Sequence, residues 1–214
     1  MPKSSPPNFV HLKEIQLYLN SILLSSRSLQ FPLLFLNHLQ TIEWDSGETA
    51  GSYRLEKTEQ RLVQNITYQE LILEQNKGNR KKEQRIIKIS AKDSQHQLTI
   101  NLAFLLDENG DLQTQQTHPA FCFFRTRIQS PLHFLIHAPF LLTDSREGIQ
   151  LENEWNRSLI QQLAKLLCDS FEVLKEVGYL NASFFQALTV ETRAFKGEEG
   201  QFFRPFLQEL NLFF

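Results

Sequence analysis

From Thr41 to Ala138 the chain is a succession of short β-rich runs, and from Asn153 onward it changes to helical periodicity. That change of period constrains the fold more than any other feature of the sequence. TIEW (41–44) and SYRLE (52–56) flank Ser46-Gly47 and read as a hairpin. RLVQNIT (61–67), YQELILE (68–74), RIIKIS (85–90) and QLTINLAFLL (97–106) follow as strand-like runs. DENGD (107–111) is a strong turn signal, and FCFFRTRI (121–128) and LHFLIHA (132–138) complete the series. Trp155, Leu159, Leu163, Leu166, Ser170, Leu174 and Val177 then fall on one helical stripe, broken only by the serine. Asn153 is placed to cap that helix and Gly178 to stop it. Shorter helices are expected after Asn181, carrying Phe184, Phe185 and Leu188, and over Arg204 to Leu212.

At the other end, residues 1–8 are rich in proline and serine and are expected to be disordered. Leu12, Ile15, Leu19, Ile22 and Leu23 recur at helical spacing, and Phe31 to Leu39 carries Pro32 near its start, where a helix tolerates proline. Without repeats or an obvious linker, the economical reading is one α+β domain over 9–214. It is helical over 9–39, a mostly antiparallel sheet over 40–138, and helical again over 150–214.

The charge balance excludes some function classes. With a net charge of -2 the chain has no broad basic field, which argues against nonspecific nucleic-acid binding. The basic run Lys77 to Arg85 reads as a solvated hairpin loop. No apolar run reaches membrane-spanning length, and the N-terminus lacks the apolar core of a signal peptide. Cys122 and Cys168 sit in apolar runs without metal-ligand spacing, as buried thiols of a reducing compartment do, so a cytoplasmic location is expected. Phenylalanine is frequent, with 18 copies, many in adjacent pairs such as Phe123-Phe124, Phe184-Phe185 and Phe202-Phe203. Most are expected in the core, while the pairs of the last third hint at a surface that a partner covers.

Motifs for self-sufficient chemistry are absent. There is no GxxxxGK[ST] and no GxGxxG. His133 and His137 have the spacing of a zinc-binding helix, but the intervening FLI lacks a glutamate and reads as strand, so two histidines on one face of a partly exposed strand are expected. His11, His38, His96 and His118 are scattered. Glu147, Glu152 and Glu154 cluster where a helix start favours acids. Trp155 and Asn156 read as a core anchor and a local hydrogen-bonding side chain. Ser145 lies outside any nucleophile elbow. A hydrolase using Glu147 or Glu152 with a histidine has only residue types in its favour.

One segment does carry a functional signal. In PFLLTDSREGIQ (139–150) a Pro-led connection between an apolar strand and the long helix presents Asp144, Ser145, Arg146 and Glu147. Polar turns between rigid elements aim side chains at partners. An arginine there offers a forked set of donors to a phosphate. The same turn also fits a solvated link in which Asp144 and Arg146 pair with each other.

At this segment the sequence resembles the middle segment of proteins with a sacsin-type, heat-shock-like ATPase module, large bacterial proteins whose ATP-binding domain is of the gyrase, heat-shock, kinase and MutL (GHKL) class. LLFLNHLQTIEW (33–44), FCFFRT (121–126), FLIHAPFLLTDSREGI (134–149) and WNRSLIQQLAKLL (155–167) carry the likeness, over most of the chain. Arg125 departs from it, standing where the family has proline in a Phe-Pro-Thr ending that would place Thr126. Ser145, Arg146, Glu147 and Gln150 are similar to a Ser-Arg-Glu pattern in the middle domain of ninety-kilodalton heat-shock chaperones. There the arginine reaches the terminal phosphate of ATP held by the neighbouring domain.

The resemblance implies an α+β fold like that middle domain, an accessory catalytic role for Arg146, and partner contacts through Ser145, Glu147, Gln150 and Thr126. It also implies a partner, a GHKL-type ATPase domain in the same or another chain, with ATP and Mg bound only there. The Asn-bearing helix, the Asp-x-Gly-x-Gly turn and the Gly-rich lid of such a domain are not in this sequence. The expectation is therefore the middle segment alone of a longer protein, as the apolar ending Leu212-Phe213-Phe214 also suggests. It would not be an enzyme itself, and would have no cofactor, metal, nucleic acid or membrane of its own. The alternative is a stand-alone interaction protein working through a Phe-rich surface.

Overall fold

The computed structural model describes residues 30–45, 50–93, 96–188 and 192–213. The expected N-terminal disorder and the helical pattern from Leu12 to Leu23 lie outside the described residues.

Eight strands form one sheet: β1 (Thr41–Asp45), β2 (Ala50–Val63), β3 (Ile66–Lys77), β4 (Arg80–Lys92), β5 (Thr99–Leu105), β6 (Pro119–Cys122), β7 (Phe124–Gln129) and β8 (Leu135–His137). Their order is β1-β2-β3-β4-β5-β8-β6-β7. Every neighbouring pair is antiparallel except β6 with β8, so the α+β class and the mostly antiparallel sheet stand as the sequence predicts.

Several boundaries differ for local reasons. RLVQNIT is not one strand: the chain reverses at Gln64-Asn65, with Gln64 at φ 54°, so Val63 ends β2 and Ile66 starts β3. The basic run is mostly strand, turning only at Gly78-Asn79, where Gly78 takes φ 56° without the clash a Cβ brings. FCFFRTRI breaks at Phe123, whose φ of 61° folds β6 back on β7 with Cys122 opposite Phe124. Pro32 begins a 3-10 turn, Pro32–Leu34, rather than an α-helix.

The helices are α1 (Glu154–Asp169), α2 (Phe171–Glu176), α3 (Ala182–Leu188), α4 (Gly197–Phe202) and α5 (Arg204–Phe213), with a second 3-10 turn over Thr192–Phe195. Asn153 caps α1, its side chain accepting from the Trp155 and Asn156 N–H groups. Ser170 splits the long stripe: its hydroxyl bonds the Leu167 carbonyl at 2.7 Å, so the expected helix becomes two, and Gly178 ends α2 at φ 83°. Asn181 caps α3 through the Phe184 N–H at 3.1 Å.

Alternation along the strands sends residues to two cores. Tyr68, Ile87, Ile89, Leu102, Phe104 and Ile136 pack beneath the helices with Leu159, Leu163 and Phe206. Tyr53, Leu55, Leu71, Leu73, Ile86 and Ala103 point the other way and are covered by Leu33, Leu34 and Phe35. Phe184, Phe202 and Phe203 are buried in the helical core, so these two pairs are largely used up inside the molecule, with Phe185 exposed; the side chains of the pair Phe213-Phe214 lie outside the described residues. The exposed pair is instead Phe123 and Phe124. Cys122 and Cys168 are free thiols and only partly buried. No described helix is long and apolar enough to cross a membrane.

Leu163 is fully buried between α1 and the sheet. Leu163→Ala is expected to lower the unfolding free energy by about 2–5 kcal/mol, the usual cost of a cavity at such a position. Urea denaturation read by circular dichroism checks it.

Candidate functional site

The segment after β8 folds into a closed loop. Leu142 and Ile149 form an isolated bridge, the Thr143 N–H donates to the Gly148 carbonyl at 2.9 Å, and the Arg146 N–H donates to the Thr143 carbonyl at 2.8 Å. The Gly148 N–H donates to the Thr143 hydroxyl at 3.2 Å, and that hydroxyl also lies 3.1 Å from the Ser145 hydroxyl. A six-residue loop is thereby stitched across its own width. Arg146 sits near its tip with φ 59°, a left-handed conformation that costs a non-glycine residue energy and persists only where surrounding bonds enforce it.

Asn156 anchors the loop to α1. It is fully buried, accepts from the Leu141 N–H at 2.8 Å, and donates to the carbonyls of Leu141 at 2.8 Å and Gln150 at 2.9 Å. The Trp155 indole N–H adds a bond to the Pro139 carbonyl at 3.2 Å. The other flank is tied to β7: the Arg127 N–H donates to the Glu147 carbonyl at 2.7 Å, and the two side chains form an ion pair at 2.7 Å.

These contacts sort the residues named from the sequence. Arg146, Ser145 and Asp144 are exposed, and among the described residues Arg146 has no ion-pair partner, so the Asp144–Arg146 link is not formed. Glu147 is occupied by Arg127. Gln150 is exposed but uses its amide to donate to the Leu142 carbonyl at 2.7 Å. Thr126 does not join the surface: it is 4% exposed, and its hydroxyl donates to the Ala120 carbonyl at 2.8 Å. Arg125, by contrast, is exposed on β7. Arg146 and Asp144 line a shallow groove of about 680 Å³ with Leu36, Phe123, Phe124 and Leu142. Two residues in left-handed conformation, Phe123 and Arg146, thus face one groove.

A second polar group lies on the sheet face away from the helices. Lys88, Ser90 and Asn101 interrupt apolar strands there, and each is buried. The Ser90 hydroxyl donates to Asn101 Oδ1 at 2.7 Å, leaving Asn101 Nδ2 to face His137 Nδ1 at 2.8 Å. His137 is 2% exposed and stacks on Phe35 at 4.6 Å, so the partly exposed histidine strand expected from the sequence is corrected: β8 is interior, and His133 lies outside it. An amide donor on Nδ1 requires a neutral ring protonated at Nε2, which has no partner among the described residues. Burial, with Lys88 nearby, holds the His137 imidazole down at about 3. His118, beside Phe31, is likewise held at about 4, first by burial and then by His133 and Arg125. Lys88 Nζ donates to the Leu34 carbonyl at 3.0 Å and has no carboxylate partner among the described residues. Burial, with Lys57 nearby, lowers its ammonium to about 8.

The signal for this group was present in the sequence, as polar residues at alternate positions inside RIIKIS and QLTINLAFLL. Among the described residues no group of three or more His, Cys, Asp or Glu side chains is placed to hold a metal ion. No protein-family model matches the chain, and neither a curated protein nor a solved structure does.

Two outcomes follow from this geometry. Asn156→Ala strands the Leu141 N–H and leaves the Leu141 and Gln150 carbonyls with only the backbone N–H groups of Gln150 and Asn153; it is expected to cost about 1–3 kcal/mol, with faster hydrogen exchange at Leu141 and Arg146 than in the wild type. For Lys88, the folded-state value lies below the unfolded one near 10.5. Above about pH 8 the native chain has released a proton that the unfolded chain still holds, so stability rises with pH. Relative to Lys88→Met, the wild type should gain about 1 kcal/mol per pH unit between pH 8 and 9.5, measured by urea unfolding.

Proposed function

We propose that this chain is a non-catalytic docking module that presents Arg146 to the nucleotide held by a heat-shock-type ATPase domain, in the same protein or another. The observation that carries this reading is the exposed Arg146 in a left-handed conformation, fixed by loop bonds yet without an ion-pair partner among the described residues. The loop bonds hold the Arg146 backbone, and its exposed guanidinium can bond a phosphate through two parallel N–H groups. Positive charge at a transferring phosphoryl group stabilises the charge that develops there. ATP and Mg belong to the partner, and Arg146 is accessory. Ser145 shares the exposed loop tip, while Glu147 and Gln150 shape the loop.

A second reading has its own observation. Phe123 and Phe124 are 43% and 52% exposed and line the groove with Arg146, an apolar surface beside the arginine. It supports a protein-interaction role that needs no nucleotide, and in the first reading the same surface forms the body of the docking contact.

Calorimetry of the chain alone should show no ATP binding; micromolar affinity would refute the docking reading. Arg146→Ala should leave the melting temperature nearly unchanged, within about 0.5 kcal/mol, because alanine pays the same left-handed cost. With the partner ATPase domain present, turnover should fall by an amount worth roughly 2–4 kcal/mol. Arg146→Lys should restore only part of it, since lysine keeps the charge and loses the fork. Lower stability with normal turnover would remove Arg146 from the mechanism. Under the second reading, Phe124→Ser abolishes partner capture while Arg146→Ala does not.

A further inference from the structure

The sheet face opposite the helices is only partly covered. Leu33, Leu34 and Phe35 seal it over one region, and beyond Lys88 it opens into a cavity of about 860 Å³. The wall carries three lysines, Lys57, Lys88 and Lys92, against one carboxylate, Asp93. Asp93 Oδ2 and Oδ1 accept the backbone N–H groups of His96 and Leu98 at 2.8 and 2.6 Å, so that acid is spent on its own turn. The local field is therefore positive inside a chain whose net charge is -2.

Lys88 gives this wall its direction. It is 8% exposed, lines the cavity, and among the described residues donates a single hydrogen bond, to the Leu34 carbonyl. An ammonium has three N–H donors, and a buried one without a counter-anion is costly to keep. The burial that lowers its proton affinity would be offset by an anion seated against it. Lys57 and Lys92 are exposed at the rim, where Lys92 Nζ donates to the Thr99 hydroxyl at 2.9 Å. A β-bulge between Lys57 and Gln60 shapes one side and is closed by Gln69 Nε2 donating to the Thr58 carbonyl at 2.9 Å.

Apart from Leu62 and Ala91, the remaining wall is amide and hydroxyl: Gln60, Thr67, Gln69, Ser90, Thr99 and Asn101 among others. Amides and hydroxyls both donate and accept, as vicinal hydroxyls do. No aromatic side chain lines the cavity among the described residues, so nothing there stacks a nucleobase. We propose that this cavity binds a small phosphorylated sugar, with Lys88 meeting the phosphate at depth, Lys57 and Lys92 closing over it from the rim, and the amide and hydroxyl wall taking the sugar hydroxyls. The cavity shares no lining residue with the Arg146 groove, and the proposal does not rest on the docking role.

Calorimetry of the full 214-residue chain at pH 7 tests it, with glucose 6-phosphate, inorganic phosphate and glucose as probes. Glucose 6-phosphate should bind, inorganic phosphate should bind at least about tenfold more weakly, and glucose should give no heat. Lys88→Met keeps the aliphatic stem and removes the charge; it should weaken glucose 6-phosphate at least about tenfold while the melting temperature holds or rises. Should that variant fail to fold, Lys57→Gln and Lys92→Gln at the exposed rim should each weaken binding about threefold. No heat with glucose 6-phosphate at millimolar concentration overturns the proposal, as does unchanged affinity in Lys88→Met or in both rim variants. Equal affinity for inorganic phosphate overturns the assignment to a sugar.

Discussion

The burial of β5 and β8 on both faces is the constraint on which the rest of the structure depends. β8 enters the sheet between β5 and β6, antiparallel to one and parallel to the other. Three residues, Leu135, Ile136 and His137, make this insertion, and each is buried. Ile136 faces the helices, while Leu135 and His137 face the opposite core with Phe35. Their backbone groups have no water to turn to, so pairing with β5 and β6 is obligatory. Once β8 is fixed, the chain leaving it at Pro139 has one place to go, along the start of α1, and the Arg146 loop is set against β7.

Two kinds of polar economy follow from that frame. At the loop, the Asn156 side chain accepts from the Leu141 N–H and donates to the Leu141 and Gln150 carbonyls, and Glu147 pairs with Arg127. Among the described residues Glu147 is the one charged side chain of the loop with an ion-pair partner; Asp144 and Arg146 are both exposed without one. On the opposite sheet face, Ser90, Asn101 and His137 form a directional chain. Lys88 beside it keeps donors in hand. A buried lysine without a carboxylate is expensive, and the fold maintains it at the edge of an open cavity rather than in the apolar core. Arginine on a bonded loop and lysine at a cavity floor are different devices: the first presents a fork outward, the second receives a charge inward.

Much of the local structure was legible in the sequence because it rests on short-range rules. Asn153 and Asn181 cap helices through neighbouring N–H groups, Gly178 ends one by adopting a positive φ, and DENGD turns through bonds of its own Asp107. The failures share a different origin. Phe123 looked like the middle of a strand because aromatic residues favour strands; the antiparallel pairing that sets Cys122 opposite Phe124 makes Phe123 the turn instead. Ser170 looked like a lapse in a long stripe, yet its hydroxyl captures the Leu167 carbonyl and divides the helix. Thr126 and Arg127 stand next to each other in sequence, and strand alternation sends one inside and the other to Glu147.

The sequence by itself determined the class, the helix and turn signals, and the polar loop between strand and helix, since each follows from periodicity or from bonds within a few residues. Tertiary structure alone decided that β8 is interior, which turned His137 from a surface histidine into a buried, neutral ring. It also decided that Glu147 belongs to Arg127, leaving Arg146 without a counterion among the described residues, and that Lys88, Asn101 and Lys57 meet around one cavity. Those relations join residues far apart in the chain, and strand order sets them; a one-dimensional pattern gives the face on which a residue lies but not the neighbour it finds there.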